Sequence, residues 1–510
     1  MLAEMRPHPA GRSSTLLNNY LVVLAGTLLQ NLALFGLSVL MASLYGASFQ
    51  VDAFRSALTP PLMLSAVLVG TGGPVLMLLL LGKYDQPQAP LTATVVFLLL
   101  VGLAVCAATV GVANGAWLMH WLHPWFDADR QTVSTQLFQI LAWMLPINTV
   151  IGLSQVVLNS QLNFLVPAIS GTVGPVLTIL FVWQWGHSGD ILPVGWATFW
   201  GGIASIGCQL PWLLRGLTWQ GPWRSVSLSP QGMIAWPLLL GMAALKIDPL
   251  VDQFLASQLV AGRIAQWDYA SRLITPFLML SSGLLSTVAF PRLSRAAGMG
   301  ETEEFRREAI TVWRGLVTLC LPACVVLLVF AGPLVQDVYQ RNEFRAGDAL
   351  IVSQLAQILS LMLAGAAVAE IASKILYADG DTLTPNLIVA LSVLVGFACK
   401  AWLVQTWGIY GIACTTAGVF VGIALIQSLL ASRRLGGSLA ASLISQVWKC
   451  SLATALAVGI GWLVLRVSMP FPALWGLVAG GIVYFLTVFV LDAAARDWIR
   501  QRWRNAARSF

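Results

Sequence analysis

The stretch Thr59-Pro60-Pro61-Leu62-Met63-Leu64-Ser65, seven residues after Asp52, returns as Thr275-Pro276-Phe277-Leu278-Met279-Leu280-Ser281, seven residues after Asp268, at an offset of 216. A second pair lies at offset 218, where Leu158-Asn159-Ser160-Gln161-Leu162-Asn163-Phe164-Leu165-Val166-Pro167 matches Leu376-Tyr377-Ala378-Asp379-Gly380-Asp381-Thr382-Leu383-Thr384-Pro385 in two leucines and the closing proline. Two matches at nearly one period mark an internal duplication. The first falls in corresponding second helices and the second in corresponding loops between fourth and fifth helices.

The duplicated material is apolar. Hydrophobic residues make up 58% of the 510, charged residues 10%, and the mean hydropathy is +0.80. An ordinary soluble domain carries roughly a quarter charged residues, so this chain lacks the material for a water-facing surface. Crossing a hydrocarbon core takes roughly 20 apolar residues per helix, and fourteen such stretches run from 16–44 to 470–493, with 231–257 as the seventh and 266–290 as the eighth. Runs such as 95–105 and 452–465 are apolar on nearly every face, which excludes the alternation of a β-barrel. The expected fold is all-α: a polytopic membrane protein of about fourteen helices, in two six-helix lobes plus two C-terminal helices.

Because six is even, the second lobe enters the membrane from the same side as the first, and the repeats are parallel. The lobes are expected at 1–218 and 219–435, with 436–510 holding the last two spans and a basic tail. Parallel repeats of this kind rock a central cavity between the membrane faces, which points to transport. The polar segment 1–14 lacks the features of a cleavable leader.

Arg6, Arg12, Arg292, Arg295, Arg306, Arg307, Arg433, Arg434 and the tail from Arg496 to Arg508 fall on one side of this topology, and the positive-inside rule puts both termini in the cytoplasm. The net charge of +7 is met by anionic lipid headgroups and calls for no nucleic acid. Seven cysteines, all inside apolar spans, and no cluster of histidines support neither a disulfide framework nor a metal or other cofactor site. Catalysis has no visible machinery: His120 and His123 flank the third span alone, and Glu301, Glu303 and Glu304 in the 291–308 loop read as a solvated helix face.

Ionisable groups at membrane depth are costly and are functional candidates by default. The first lobe has amides, Asn31 among them, and Arg55 at an outer span end. The second has Lys246, Asp248 and Asp252 in the seventh span, Arg272 in the eighth, Glu370 and Lys374 in the tenth, and Lys400 in the eleventh. Asp248 and Asp252 share a helix face and need a cation, either Lys400, Lys246 or a metal ion. Glu370 and Lys374 are spaced as a structural pair. Arg272 suits a phosphate or pyrophosphate through paired hydrogen bonds, with an ion pair to a seventh-span carboxylate as the alternative.

Several segments resemble the MurJ (MviN) family of lipid II flippases, within the superfamily of polysaccharide and drug exporters: Tyr45-Gly46-Ala47-Ser48 with Asp52-Ala53-Phe54, Leu250 to Ser257, Tyr269-Ala270-Ser271-Arg272-Leu273, Pro291-Arg292-Leu293-Ser294-Arg295, and Tyr377 to Thr382 with Thr384-Pro385. The resemblance spans roughly residues 20 to 430. It implies alternating access in the bacterial inner membrane, carrying a polyprenyl-pyrophosphate-linked saccharide from the cytoplasmic to the periplasmic leaflet for cell-wall or surface-polysaccharide synthesis, with synthesis machinery as possible partners. The headgroup would sit in the cavity and the lipid tail in a groove lined by the terminal helix pair. Arg272 falls on a cavity arginine of the family. Three other family arginines are replaced by Asn31, Leu37 and Ser65, and a family lysine by Glu370, so an exopolysaccharide or O-antigen precursor, or an inactive scaffold, stands beside lipid II. Some members hold sodium between the seventh, eleventh and twelfth helices. Here Asp248 or Asp252 with Thr415 or Thr416 would supply ligands, but Gly396 and Lys400 occupy the eleventh-helix positions, and the Lys400 ammonium is expected to replace the ion.

Overall fold

In the computed structural model, residues 12–81, 89–186, 189–217, 247–284, 290–298, 302–381, 383–434, 439–467 and 470–491 are described. Among them the regular structure is helical and no strand occurs. Among the described residues, eleven helices are long and apolar enough to cross a membrane. Most of the expected seventh span, with Lys246, lies outside the described residues, as do the expected lobe boundaries after 218 and 435 and the tail arginines.

The chain forms two compact units, Met1–Ala265 and Gln266–Phe510. In the first, α1 (Arg12–Tyr45) packs on α7 (Leu165–Trp185), which packs on α8 (Leu192–Gly216), while α2 (Phe49–Leu80) is covered by α3 (Ala89–Ala113), α5 (Ala128–Leu141) and α6 (Met144–Ser160). The core joins Val75, Leu76 and Leu79 of α2 to Phe97, Leu153, Val157 and Leu213. A short α4 (Gly115–Leu122) follows α3, and α9 spans 247–256. In the second unit, α10 (Arg263–Leu284, shared at its first turn with the first unit) and α11 (Phe290–Gly298) precede α12 (Thr302–Tyr339). There α13 (Ala346–Ala378) is central, packed on α12 and α15 (Ile409–Arg434). Then α14 (Leu383–Trp407) lies on α15, and α16 (Leu439–Leu465) and α17 (Pro472–Leu491) pair with each other and with α12.

The fourth span is two helices, α5 and α6, because Pro146 has no N–H for the Ala142 carbonyl. Leu145 N–H bonds that carbonyl instead at 3.1 Å, a tighter turn that accommodates the break. The segment 291–308, expected as loop, contains α11 and the first turns of α12. Leu293 and Ala296 of α11 are buried against Phe305, Trp313 and Ile375, while Arg295 faces out.

The duplication holds at the level of single hydrogen bonds. In the first unit Asn163 N–H donates to Leu158 O at 3.0 Å, Leu162 N–H to Asn159 O at 3.0 Å, and Val166 N–H to Asn163 Oδ1 at 3.4 Å. In the second, 218 residues on, Asp381 N–H donates to Leu376 O at 2.9 Å, Gly380 N–H to Tyr377 O at 3.1 Å, and Thr384 N–H to Asp381 Oδ1 at 3.0 Å. Each is a helix end with a left-handed residue, followed by a side-chain cap on the next helix. The left-handed position is Leu162 (φ 60°) in one and Gly380 (φ 89°) in the other. Gln209 and Gln427, also 218 apart and both buried, tie their helices to Ser170 Oγ at 2.5 Å and Pro385 O at 3.4 Å. At offset 216, Thr59 and Thr275 each bond the carbonyl four residues back at 2.9 Å, just before Pro60 and Pro276, and both helices run on through the proline.

Candidate functional site

Arg272 lies in α10, with a quarter of its side chain exposed. Its Nε donates to Asp268 Oδ2 at 2.7 Å, one helical turn earlier on the same helix. The carboxylate that meets it is therefore its own neighbour, at the i,i+4 spacing that faces two side chains together. Nη1 and Nη2 make no hydrogen bond among the described residues. The turn is fixed from behind by Tyr269, whose ring stands 5.2 Å from Tyr339 and 5.6 Å from Phe344, all three buried. A guanidinium gripped at Nε and open at both Nη groups is suited to a phosphate by two parallel hydrogen bonds.

A cavity of ≈ 300 Å³ is lined by Phe277 of α10, Leu319, Cys320 and Phe330 of α12, Ala457 of α16, and Gly480, Gly481 and Tyr484 of α17. Its walls are almost wholly apolar. The terminal helix pair is held there by Tyr484 Oη donating to Thr318 O at 2.6 Å, by Gln446 Nε2 donating to Thr318 Oγ1 at 2.9 Å, and by Ala473 N–H donating to Asp337 Oδ2 at 2.6 Å. Such bonds matter in a bilayer, where water offers no alternative partner.

The remaining sequence candidates lie on several helices. Asn31, half-buried on α1, donates to Thr27 O of its own helix at 2.7 Å. Arg55 is buried in α2 with its guanidinium 5.5 Å from the Phe54 ring. Asp252 is buried on α9 and Asp248, one turn earlier, is partly exposed. Lys400 is 1% exposed on α14; Thr415, on α15, is buried and bonds the Gly411 carbonyl at 2.8 Å. Glu370 and Lys374 are half-buried one turn apart on α13.

The signal for Asp268 in the sequence is its four-residue spacing to Arg272. Asp52 occupies the same repeat position and does different work. Buried in the first turn of α2, it accepts from Gly262 N–H at 2.6 Å (Oδ2) and from Ala265 N–H at 2.8 Å (Oδ1), capping the start of α10. Gly262 has φ +94°, and a Cβ there would run into the Ala47 carbonyl oxygen. Beside it, Arg130 Nη1 donates to Leu259 O at 3.4 Å and Nε to Asp127 Oδ1 at 3.1 Å, Trp125 meets Phe254 edge to face, and Gln253 donates to Thr59 Oγ1 at 2.6 Å. Segment 253–265 is thus fastened onto α2 and α5. His123, in the α4–α5 connection, is buried against Phe126, and burial pulls its imidazole down to about 4.

The family model described as "Lipid II flippase MurJ" matches residues 41–481. A "Probable lipid II flippase MurJ" of Vibrio cholerae is 25% identical over 94% of this chain and 96% of its own, and one of Synechocystis is 25% identical over 92% and 91%. The solved structure "Lipid II flippase MurJ, inward closed conformation" superposes with a TM-score of 0.77 at 17% identity, covering 94% of this chain and all of that one. An inward-facing multidrug resistance MATE transporter of the MOP superfamily gives 0.68 at 13% identity, covering 80% of this chain and 94% of that one. These two structural likenesses are likenesses of fold.

Proposed function

This chain belongs to the MurJ family of lipid II flippases, and from that premise we propose that it moves a polyprenyl-pyrophosphate-linked saccharide, lipid II first, from the cytoplasmic to the periplasmic leaflet by alternating access. The observation that carries this reading is Arg272: a cation within a membrane bundle, tethered at Nε and, among the described residues, open at both Nη groups. A charge so placed is expensive and is retained for an anion. The apolar cavity beside α16 and α17 supports a place for the polyprenyl tail. Both termini are cytoplasmic in this reading, supported by the basic residues on that side. The partners would be the enzymes that make and consume the lipid-linked saccharide, and the chain itself performs no covalent chemistry.

Asn31 favours a second cargo. It stands where the family has an arginine, and its amide is spent on its own helix. With Leu37 and Ser65 at the other two positions, the first unit would meet the cargo headgroup with side chains unlike the family's, which supports a different saccharide on the same pyrophosphate, a precursor of exopolysaccharide or O-antigen. Complementation of a strain depleted of its lipid II flippase separates the cargoes. Rescue by the wild-type chain and none by Arg272→Ala supports lipid II. Failure of the wild type, despite normal membrane levels, rejects lipid II.

A further inference from the structure

Arg272 and Asp268 sit on one helix, one turn apart, joined by a 2.7 Å bond. A counter-ion on another helix would be left behind when the bundle rearranges; one on the same helix travels with the cation. The same four-residue spacing recurs on α13, where Glu370 precedes Lys374. An unpaired guanidinium in an apolar bundle is strongly disfavoured, so a carrier returning without cargo needs a resident anion.

Resting on the phosphate-binding reading of Arg272, we infer that Asp268 is a positioning residue for the transport cycle. It holds Nε so that Nη1 and Nη2 point to the cargo phosphate, and it balances the guanidinium when the carrier is empty. Its negative charge also weakens the hold on a dianionic pyrophosphate, which lets the cargo leave. Asp268 therefore exchanges affinity for turnover, and its removal moves the two in opposite directions. Tyr269, buried with Tyr339 and Phe344, anchors the helical turn that carries the carboxylate.

The test uses the full chain in nanodiscs, with farnesyl pyrophosphate as probe and farnesol as the uncharged control. Asp268→Asn keeps an acceptor for Nε and removes the charge. Binding is expected to tighten about tenfold, the scale of one like charge at close range partly screened by water. In proteoliposomes translocating a fluorescent polyprenyl pyrophosphate, KM and the maximal rate should fall together. Asp268→Ser, which removes the same charge in a smaller side chain, repeats the tightening if the amide packs badly. A wild-type chain that binds the pyrophosphate no better than farnesol, or an Arg272→Ala chain that binds it as well as wild type, overturns the function proposed above. Arg272-dependent binding that Asp268→Asn leaves unchanged or weakens overturns the inference about Asp268 alone.

Discussion

At the scale of single residues, carboxylates at equivalent repeat positions have separate tasks. Asp52 satisfies two buried backbone donors; Asp268 satisfies a side-chain cation. Asp52→Ala leaves Gly262 and Ala265 N–H without their acceptor, and orphaned buried donors cost about 1–3 kcal/mol each. Thermal unfolding of the purified protein should show that loss, whereas an unchanged midpoint would mean that other groups take up the donors. His123 carries a pH dependence of known sign. Its folded-state value near 4 lies below the ordinary 6.5, so burial favours the neutral ring and protonation favours unfolding. The contribution is complete above pH 6.5 and is lost as pH falls toward 4, by up to about 3 kcal/mol. Unfolding midpoints across that range should flatten in His123→Phe relative to wild type; parallel curves would exclude His123 as their source.

At the scale of elements, the two repeats close the same helix end with different residues. Gly380 takes the left-handed conformation without strain, while Leu162 takes it with a side chain that is 70% exposed and gains little by burial. Leu162→Gly should therefore stabilise the protein by about 1 kcal/mol, and Gly380→Leu should destabilise it by a similar amount. Opposite shifts in unfolding midpoint are the expected result; shifts of one sign would show that the turns are not equivalent. The break in the fourth span has a comparably local cause, since it follows from the missing N–H of Pro146.

At the scale of the molecule, the terminal helix pair makes an apolar cavity with α10 and α12. Gly481 lines it, and a Cβ at that position meets no atom within 4 Å. Gly481→Leu should fill the cavity and weaken binding of farnesyl pyrophosphate about tenfold, while raising helix stability by roughly the 1 kcal/mol separating glycine from good helix formers. Binding of inorganic pyrophosphate should be untouched. Equal weakening of both probes would place the farnesyl chain elsewhere.

The sequence by itself determined the membrane class, the helical fold and the duplication, and it singled out Arg272 as a candidate. Each depends on local composition or on self-similarity, and both are written along the chain: an apolar run of sufficient length has one way to satisfy its backbone in lipid, and a repeated segment repeats its turn. The repeated hydrogen bonds at 158–166 and 376–384 follow that rule down to single atoms. Only the tertiary structure decided which partners the charges have. Asp268, and not a seventh-span carboxylate, meets the Nε of Arg272; Asp52 reaches donors more than two hundred residues away; Asn31 turns back on its own helix. Whether an ionisable side chain bonds along its helix, across to another, or stands open to a ligand depends on rotamer and packing, and neither is fixed by spacing alone.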